Sequence, residues 1–300
     1  LLKVASKLFE DENQKLDFIQ ALVAPVPKPT ALIWFVPKTH LGLIEIPLPS
    51  IYPDWVSLVP ADSHIGRLPE HERGDFYCLD LSSVYAMQSL LKLLQDSELD
   101  SDSVVVDLCA SPGGKSIFAA RALRPAQLIC NEVSGPRIPA LLSNLKRCKI
   151  LNATATQADP GYFSKFNQRV ADLVLVDAPC SGQSLLAKGD KGFSVFSKPM
   201  INLNVGRQRR ILAEASKIVC EGAYILYSTC TFCLEENEKN IEWFLKKFPR
   251  FTEISSGRMW PQDGLGAGSF YSLLKHDGER GSRQAIELED IKNWPIFTAA

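Results

Sequence analysis

Between residues 104 and 275 short apolar runs alternate with segments whose apolar positions recur at helical spacing, the pattern of strands interleaved with helices. Strands are expected at Val104–Leu108, Gln127–Cys130, Ala153–Thr156, Leu173–Val176, Tyr224–Tyr227 and Phe270–Leu274. Helices are expected at 116–123, 136–147, 205–219 and 235–247. In the last of these Ile241, Phe244, Leu245 and Phe248 share one helical face, and Pro249 ends it. This alternation implies an α/β fold: a mostly parallel sheet with helices on both faces. No repeat or low-complexity tract interrupts it.

The N-terminal quarter reads differently. Gln14 to Leu22 carries Leu16, Ile19 and Leu22 at the spacing of a short amphipathic helix, and Ala31 to Val36 reads as a strand between prolines. The eight prolines between Pro25 and Pro60 forbid long helices. A small mixed domain is therefore expected over 1–73, followed by the α/β domain over 74–300. Within the latter, Gly74–Ser83 leads into a helix from about Val84 to Leu94, and the acidic segment 96–102 separates that helix from the first large-sheet strand. Three hundred residues suit two domains, or one large domain with an extension.

Charge and cysteines narrow the class. A net charge of -1 argues against wholesale coating of nucleic acid, while leaving room for a local basic patch that holds RNA. The eight cysteines show no zinc-ribbon or secreted-scaffold spacing, so free thiols in a reducing compartment are expected, with no metal and a cytoplasmic location. No apolar run is long enough for a bilayer. No signal peptide is visible, and a start at Leu1 rather than Met is consistent with a trimmed chain.

The centre of the α/β region is VVVDLCASPGGK, Val104 to Lys115. Three β-branched residues suit a central strand, Asp107 places a carboxylate at its end, and Pro112, Gly113 and Gly114 allow a sharp turn into a helix. A phosphate loop, GxxxxGK[ST], would need glycine where Cys109 stands, and a dinucleotide fingerprint, GxGxxG, is incomplete. S-adenosylmethionine (SAM), which has no phosphates, remains the natural ligand. Glu132, about twenty residues beyond the glycines, is placed to accept ribose hydroxyls. Asp159 follows the third strand and Asp177 ends the fourth. With Asp107, four acids at successive strand ends favour a single crevice.

Two later strands end in polar turns bearing cysteine: LVLVDAPCSG with Cys180, and AYILYSTCTFCLEEN with Cys230. If these strands are neighbours, about 4.8 Å apart, both thiols can face one pocket. Lys188, Lys191, Lys198, Arg207, Arg209 and Arg210 flank the Cys180 loop with Phe193 and Phe196 between them, a combination that suits phosphate contact and base stacking. Lys146, Arg147 and Lys149 read as a helix C-terminus answering its dipole.

At Asp107–Lys115, at Asp177–Gly182 and at Thr229-Cys230 with Glu235-Glu236-Asn237, the sequence resembles the Sun/Fmu (Nop2/Sun) family of RNA cytosine-C5 methyltransferases, over roughly residues 74–275. The resemblance implies the Rossmann-like SAM-dependent methyltransferase fold, a seven-stranded mostly parallel sheet whose fourth and fifth strands are adjacent. It also implies that Cys109, Ala110, Ser111, Pro112, Gly113, Gly114 and Lys115 line the methionine end of SAM. Glu132 would hold the ribose, Arg137 would follow it, Asp159 would lie near the adenine, and Asp177 near both cofactor and base. Cys230 corresponds to the nucleophile and Cys180 to the thiol that aids product release. Ser111 replaces the usual alanine, Glu132 the commoner aspartate, and Leu79 a glutamine often found before the upstream aspartate and serine. The family's N-terminal helical RNA-binding domain and C-terminal RNA-binding module are not recognised, so a partner protein could supply RNA affinity.

The chemistry accounts for two thiols. Cytosine C5 is a poor nucleophile until a thiolate adds at C6, and an ordinary cysteine, with a pKa near about 8.5, needs help to ionise. Lys115 is a candidate cationic neighbour. The resemblance favours ribosomal RNA over transfer RNA, because much of that family acts there. Two rivals stand beside this reading: a DNA cytosine methyltransferase, which would use the Pro179-Cys180 turn, and a non-catalytic RNA-binding or ribosome-assembly factor.

Overall fold

Val104, Val105 and Val106 lie in the middle of a large sheet, because a strand covered on both faces requires an unbroken apolar run. The computed structural model describes residues 1–38, 41–96, 98–166, 169–190, 192–279 and 296–298. Three strands come first: β1 (Thr30–Trp34), β2 (Val56–Val59) and β3 (Phe76–Asp80), an antiparallel sheet in the order β2-β1-β3. The large sheet contains β4 (Val104–Asp107), β5 (Gln127–Asn131), β6 (Ala153–Thr156), β7 (Ala171–Asp177), β8 (Val219–Thr229), β9 (Phe251–Met259), β10 (Ser269–His276) and the short β11 (Ile296–Thr298).

Its order is β11-β6-β5-β4-β7-β8-β10-β9. Strands β6, β5, β4, β7 and β8 run parallel, and β10 is antiparallel to both of its neighbours. β11 adds an antiparallel edge to β6. The seven strands β4–β10 form the expected Rossmann-like sheet, with β7 beside β8. The chain passes to one side of β4 through β5 and β6 and to the other through β7 and β8, so a crevice opens at the carboxyl end of β4.

Alternation along β4 sends Val105 and Val106 to opposite faces, and each face has its own buried cluster. Val105, Leu128 and Leu173 pack with Phe118 and Leu141 from the helices Gly114–Leu123 and Ile138–Arg147. Val106, Val174 and Ile225 pack with Leu212 and Phe244 from the helices Lys198–Ile218 and Glu238–Lys247. A third cluster joins the N-terminal helices, through Ala5 and Phe18, to Leu186, Ala187 and Phe232. Phe18 meets Phe232 edge-on, with ring centroids 5.1 Å apart. These helices therefore buttress the loops that follow Cys180 and Cys230.

The structure departs from the sequence reading where polar or short segments hide a strand. β9 is an edge strand whose interior is mostly exposed and whose apolar alternation is weak, so FTEISSGRM gave no signal. β3 was expected only as a lead-in to a helix; it instead pairs with β1, so the small sheet takes its third strand from beyond residue 73. The helix expected over 84–94 is two helices, Leu81–Ala86 and Gln88–Gln95, meeting at Met87. The helix expected from 205 begins at Lys198, with Pro199 in its first turn, where a missing N–H costs nothing. Among the described residues no helix is long and apolar enough to cross a membrane.

Arg147 does more than end a helix. Its guanidinium donates to the carbonyls of His71, at 2.9 Å, and Phe76, at 3.3 Å, tying the helix Ile138–Arg147 to the small sheet. Gly74 makes that approach possible. Its φ is +74°, and a Cβ there would lie 1.7 Å from the Arg147 carbonyl oxygen. Gly74→Ala is expected to lower unfolding stability by about 3 kcal/mol, read from urea denaturation.

Candidate active site

The carboxyl ends of the parallel strands open into a cavity of about 640 Å³. Across it, in sheet order, stand Asp159 after β6, Glu132 after β5, Cys109, Ser111 and Lys115 after β4, Asp177 at the end of β7, and Cys230 after β8. Ala267, ahead of β10, and Asp80 and Ser82 from the β3 turn complete the far end.

Asp107 does not face this cavity. It is fully buried, accepting the Ser116 hydroxyl at 2.6 Å and the Cys109 N–H at 3.1 Å. Burial pushes its carboxyl up to about 7, against those two hydrogen bonds. It braces the turn, so three of the four strand-end acids, not all four, share the crevice. The turn's lining comes from Cys109, Ser111 and Lys115, while Ala110, Pro112, Gly113 and Gly114 form the backbone behind them. At Gly114 a Cβ would lie 2.7 Å from Leu79 Cδ1, so a larger residue there would have to displace that side chain.

On the β5 side Glu132 is buried. Its Oε1 accepts the Ser134 N–H at 2.9 Å; its Oε2 faces Arg137 Nη1 at 3.0 Å without an aligned hydrogen bond, leaving acceptor capacity in the cavity. Arg137 also donates to the Ser111 carbonyl, and Ser111 Oγ donates back to the Arg137 carbonyl at 2.8 Å, locking the glycine turn to the acid. Val133, 57% exposed, offers an apolar surface alongside. Asn131, which the sequence reading passed over, fixes the spacing of β5 and β6. It donates to the Ala158 carbonyl at 2.9 Å and accepts from Thr156 Oγ1 and the Ala158 N–H. An asparagine ending an apolar strand was the available signal. Asp159 is already engaged, by the Gly161 N–H and by Arg210. Burial pushes its carboxyl up, but these partners outweigh burial and hold it below the usual range.

The centre holds one thiol, Cys230; Cys180 is not among the lining residues and reaches the site through its contact with Cys230. Asp177 and Ser228 are register partners on β7 and β8, so the turns beyond them leave the sheet side by side. Cys180 Sγ lies 3.2 Å from Cys230 Sγ. Asp177 accepts Lys115 Nζ at 2.8 Å and Ser228 Oγ at 3.0 Å. Burial opposes the Lys115 charge, and Asp177 more than offsets it, so the ammonium is kept. The two sulfurs are not equivalent. A hydrogen bond from Cys180 lowers Cys230 most; burial and the Asp177 carboxylate oppose this, and Lys115 assists. Its partner is pushed up by that same bond, by burial and by Glu236. The pair is thus a Cys180 thiol donating to a Cys230 poised toward thiolate.

A buried network holds this arrangement. Glu236 Oε2 accepts the Ser181 N–H at 2.9 Å and Gln208 Nε2 at 2.8 Å, while the Glu236 carbonyl accepts the Tyr227 hydroxyl at 2.6 Å. Gln208 also donates to the Pro179 carbonyl, and Asn240 donates to Gln208. Asn237 accepts Thr229 Oγ1 and donates to the Thr231 carbonyl. Gln208 and Asn240 sit on helices whose polar residues read as solvated; nothing local marks them as buried.

The expected basic patch divides. Arg207 and Arg210 line the cavity, and Lys188 joins them but pairs with Asp80 at 2.7 Å. Arg209 instead bonds Asn240 and lies over Trp243, 5.1 Å from its ring centroid. Phe193 is exposed, Phe196 packs against the N-terminal cluster, and Lys191 lies outside the described residues.

A Rossmann-like sheet with one antiparallel inner strand, and an acid-lined cavity at its carboxyl ends, define a SAM-dependent methyltransferase domain. Residues 93–275 match the family described as 16S rRNA methyltransferase RsmB/F, and the chain belongs to that family. The ribosomal RNA small subunit methyltransferase F of Psychromonas ingrahamii is 31% identical over 240 residues, covering 74% of this chain and 49% of the relative. Its namesake in Klebsiella pneumoniae is 32% identical over 192 residues, 63% and 39% respectively. The chain thus spans about half or less of these curated relatives. NSun6 from Pyrococcus horikoshii, solved with SFG, superposes with a TM-score of 0.77 at 18% identity, covering 93% of this chain and 98% of that one. A methyltransferase homologue protein from the same organism gives 0.75 at 20% identity, covering 91% and 93%. These two likenesses establish the fold.

The unequal thiols carry a pH prediction. Because Cys230 is lowered, its alkylation by iodoacetamide should persist to lower pH than that of an ordinary thiol. Cys180→Ala, which removes the hydrogen-bond donor, and Lys115→Met should each move the profile to higher pH, read by mass spectrometry of the Cys230 peptide.

Proposed function

We propose that this protein methylates C5 of a cytosine in RNA, with small-subunit ribosomal RNA as its substrate class, through a transient bond between Cys230 Sγ and the C6 atom of the ring. The observation that carries this is Cys230 lining the cavity beside the Lys115–Asp177 pair, with Cys180 in contact behind it at 3.2 Å. The residues fit SAM: the cavity is large enough for a small ligand, and the buried Oε2 of Glu132 has acceptor capacity that ribose hydroxyls can take up. Bound there, SAM supplies an electrophilic methyl group. Glu132, fixed by Arg137, holds the ribose; Asp159 and Val133 lie beside the adenine; Cys109, Ser111 and Lys115 line the methionine end.

Cys230 thiolate adds to C6, and the electrons of the C5–C6 double bond make C5 nucleophilic. Asp177, held by Lys115 and Ser228, is oriented to accept a hydrogen bond from the cytosine amino group. After methyl transfer the C5 proton passes to a water molecule, the C5–H electron pair re-forms the C5–C6 double bond, and the C6–S bond breaks with its electrons returning to Cys230 Sγ as thiolate. Cys180 stands beside that bond and assists release. The opposite assignment, with Cys180 as nucleophile, is disfavoured because Cys230, and not Cys180, is among the residues lining the cavity. The target base reaches the cavity from a single strand or by flipping out of a helix.

Bisulfite sequencing of RNA exposed to the protein and SAM should reveal a protected cytosine. That signal should fall at least about a thousandfold in Cys230→Ala. Cys180→Ala should instead accumulate a protein–RNA adduct that survives denaturing gels. Protection absent from every RNA, or full turnover without Cys230, would overturn the proposal. For the cofactor end, Asp159→Ala should weaken SAM binding about tenfold by calorimetry, with RNA affinity changed less.

A further inference from the structure

A second cavity, of about 430 Å³, adjoins the first and shares two of its wall residues, Asp80 and Lys188. The Asp80–Lys188 ion pair, at 2.7 Å, is thus the partition between them. Its other walls are Pro25, Val26, Pro27, Lys28 and Pro29, the proline-rich connection that enters β1. Nothing in the proposed chemistry uses these residues.

Sheet order states what this second cavity adjoins. The first cavity runs from Asp159 and Glu132, at the β6 and β5 side, through Cys230 to Ala267 and Asp80 on the β10 side. On the proposed reading, SAM takes the first end and the pyrimidine lies over Cys230. The sugar-phosphate attached to that pyrimidine must therefore leave by the Asp80–Lys188 end, which is where the second cavity begins.

Resting on that reading, we propose that the second cavity receives the nucleotide next to the target cytosine in the RNA chain. Its volume lies within the range of small-ligand pockets. Lys28 and Lys188 offer ammonium donors to a phosphate, beside Asp80 in the same wall and with Asp263 also acting on Lys28. Lys28 Nζ donates to the Pro261 carbonyl at 2.8 Å, which fixes its position and leaves further N–H groups for a phosphate or a base carbonyl. The three prolines and Val26, 67% exposed, present rigid apolar surface to a base at little cost in side-chain entropy. This wall is not built from donors in a base-reading pattern, so the subsite selects for the presence of a neighbouring base more than for its identity.

The test uses a short single-stranded RNA holding one cytosine, with 2-aminopurine or an abasic residue at either neighbouring position. Emission from 2-aminopurine, which responds to stacking, reads the second cavity without turnover; methyl transfer from labelled SAM reads the first. At one of the two positions the full chain should change emission by about twofold or more, and the abasic RNA should lose about tenfold in kcat/KM. Lys28→Ala and Val26→Glu should remove both effects while holding the wild-type unfolding midpoint, with turnover of the abasic RNA changed less than about twofold. Val26 is exposed, so that variant folds even if Lys28→Ala does not. Emission that changes without methyl transfer would leave the subsite standing and overturn the catalytic reading. Methyl transfer with no change of emission at either position and no abasic penalty would overturn the subsite alone, as would effects that persist in both variants.

Discussion

The site depends on a buried carboxylate that never enters the cavity. Glu236 reaches from the segment ahead of one helix to the backbone of the Cys180 turn, and shares Gln208 with the loop's own carbonyl at Pro179. A carboxylate taken out of water costs free energy unless its oxygens are hydrogen-bonded; here Oε2 is bonded, the buried Oε1 has no hydrogen-bond partner, and burial pushes Glu236 up. Those bonds hold two loops from adjacent strands at one separation, so the sulfurs of Cys180 and Cys230 meet at 3.2 Å. Without this bracing two polar turns at the surface would be free to diverge, and neither thiol would feel the other. The asymmetry of the pair follows first from the hydrogen bond between the two sulfurs, which lowers Cys230 and raises Cys180, while each sulfur also has a carboxylate near it, Glu236 at Cys180 and Asp177 at Cys230.

Ion pairs stand at both ends of the cavity. Arg210 engages Asp159 at one, and Lys188 engages Asp80 at the other. They differ in strength of hold. The Arg210–Asp159 pair is well exposed, and such pairs are worth about 0–1 kcal/mol, so a ligand group can replace the guanidinium at small expense. Asp80 is far more enclosed and also accepts the Ser82 N–H and hydroxyl and the Ala267 N–H, which makes it a fixed post. The cofactor end is accordingly adaptable, whereas the wall between the two cavities is rigid. The N-terminal helices add to that rigidity, since Phe18 packs on Phe232 just beyond Cys230.

Much of the fold was legible because its strands are buried on both faces and its helices have apolar stripes. VVVD, LVLV and YILY are short runs rich in β-branched and aromatic residues and bounded by turns, which favours an inner strand over a buried helix, and the turns after them carry the acids and thiols. What escaped detection was β9, whose interior is mostly exposed and polar; β2, set among the prolines; β3, whose residues run straight into a helix; and the break at Met87. In the site, residues at strand ends were found from their position. Asn131, Gln208 and Asn240 were not, because a buried polar side chain is recognisable only by the partners that satisfy it. Asp107 was misjudged for the converse reason, as its carboxylate is spent on Ser116 and Cys109.

The sequence by itself determined the parallel sheet, the glycine turn after β4, and the identity of the strand-end acids and cysteines, since periodicity and turn chemistry are local properties. Only the tertiary structure decided which acids share a cavity, which sulfur is favoured as thiolate, which arginines face the site and which are used in packing, and that a second cavity lies beyond Asp80. Each of these depends on distances between residues far apart in the chain, and electrostatic and hydrogen-bond energies are set by such distances rather than by composition.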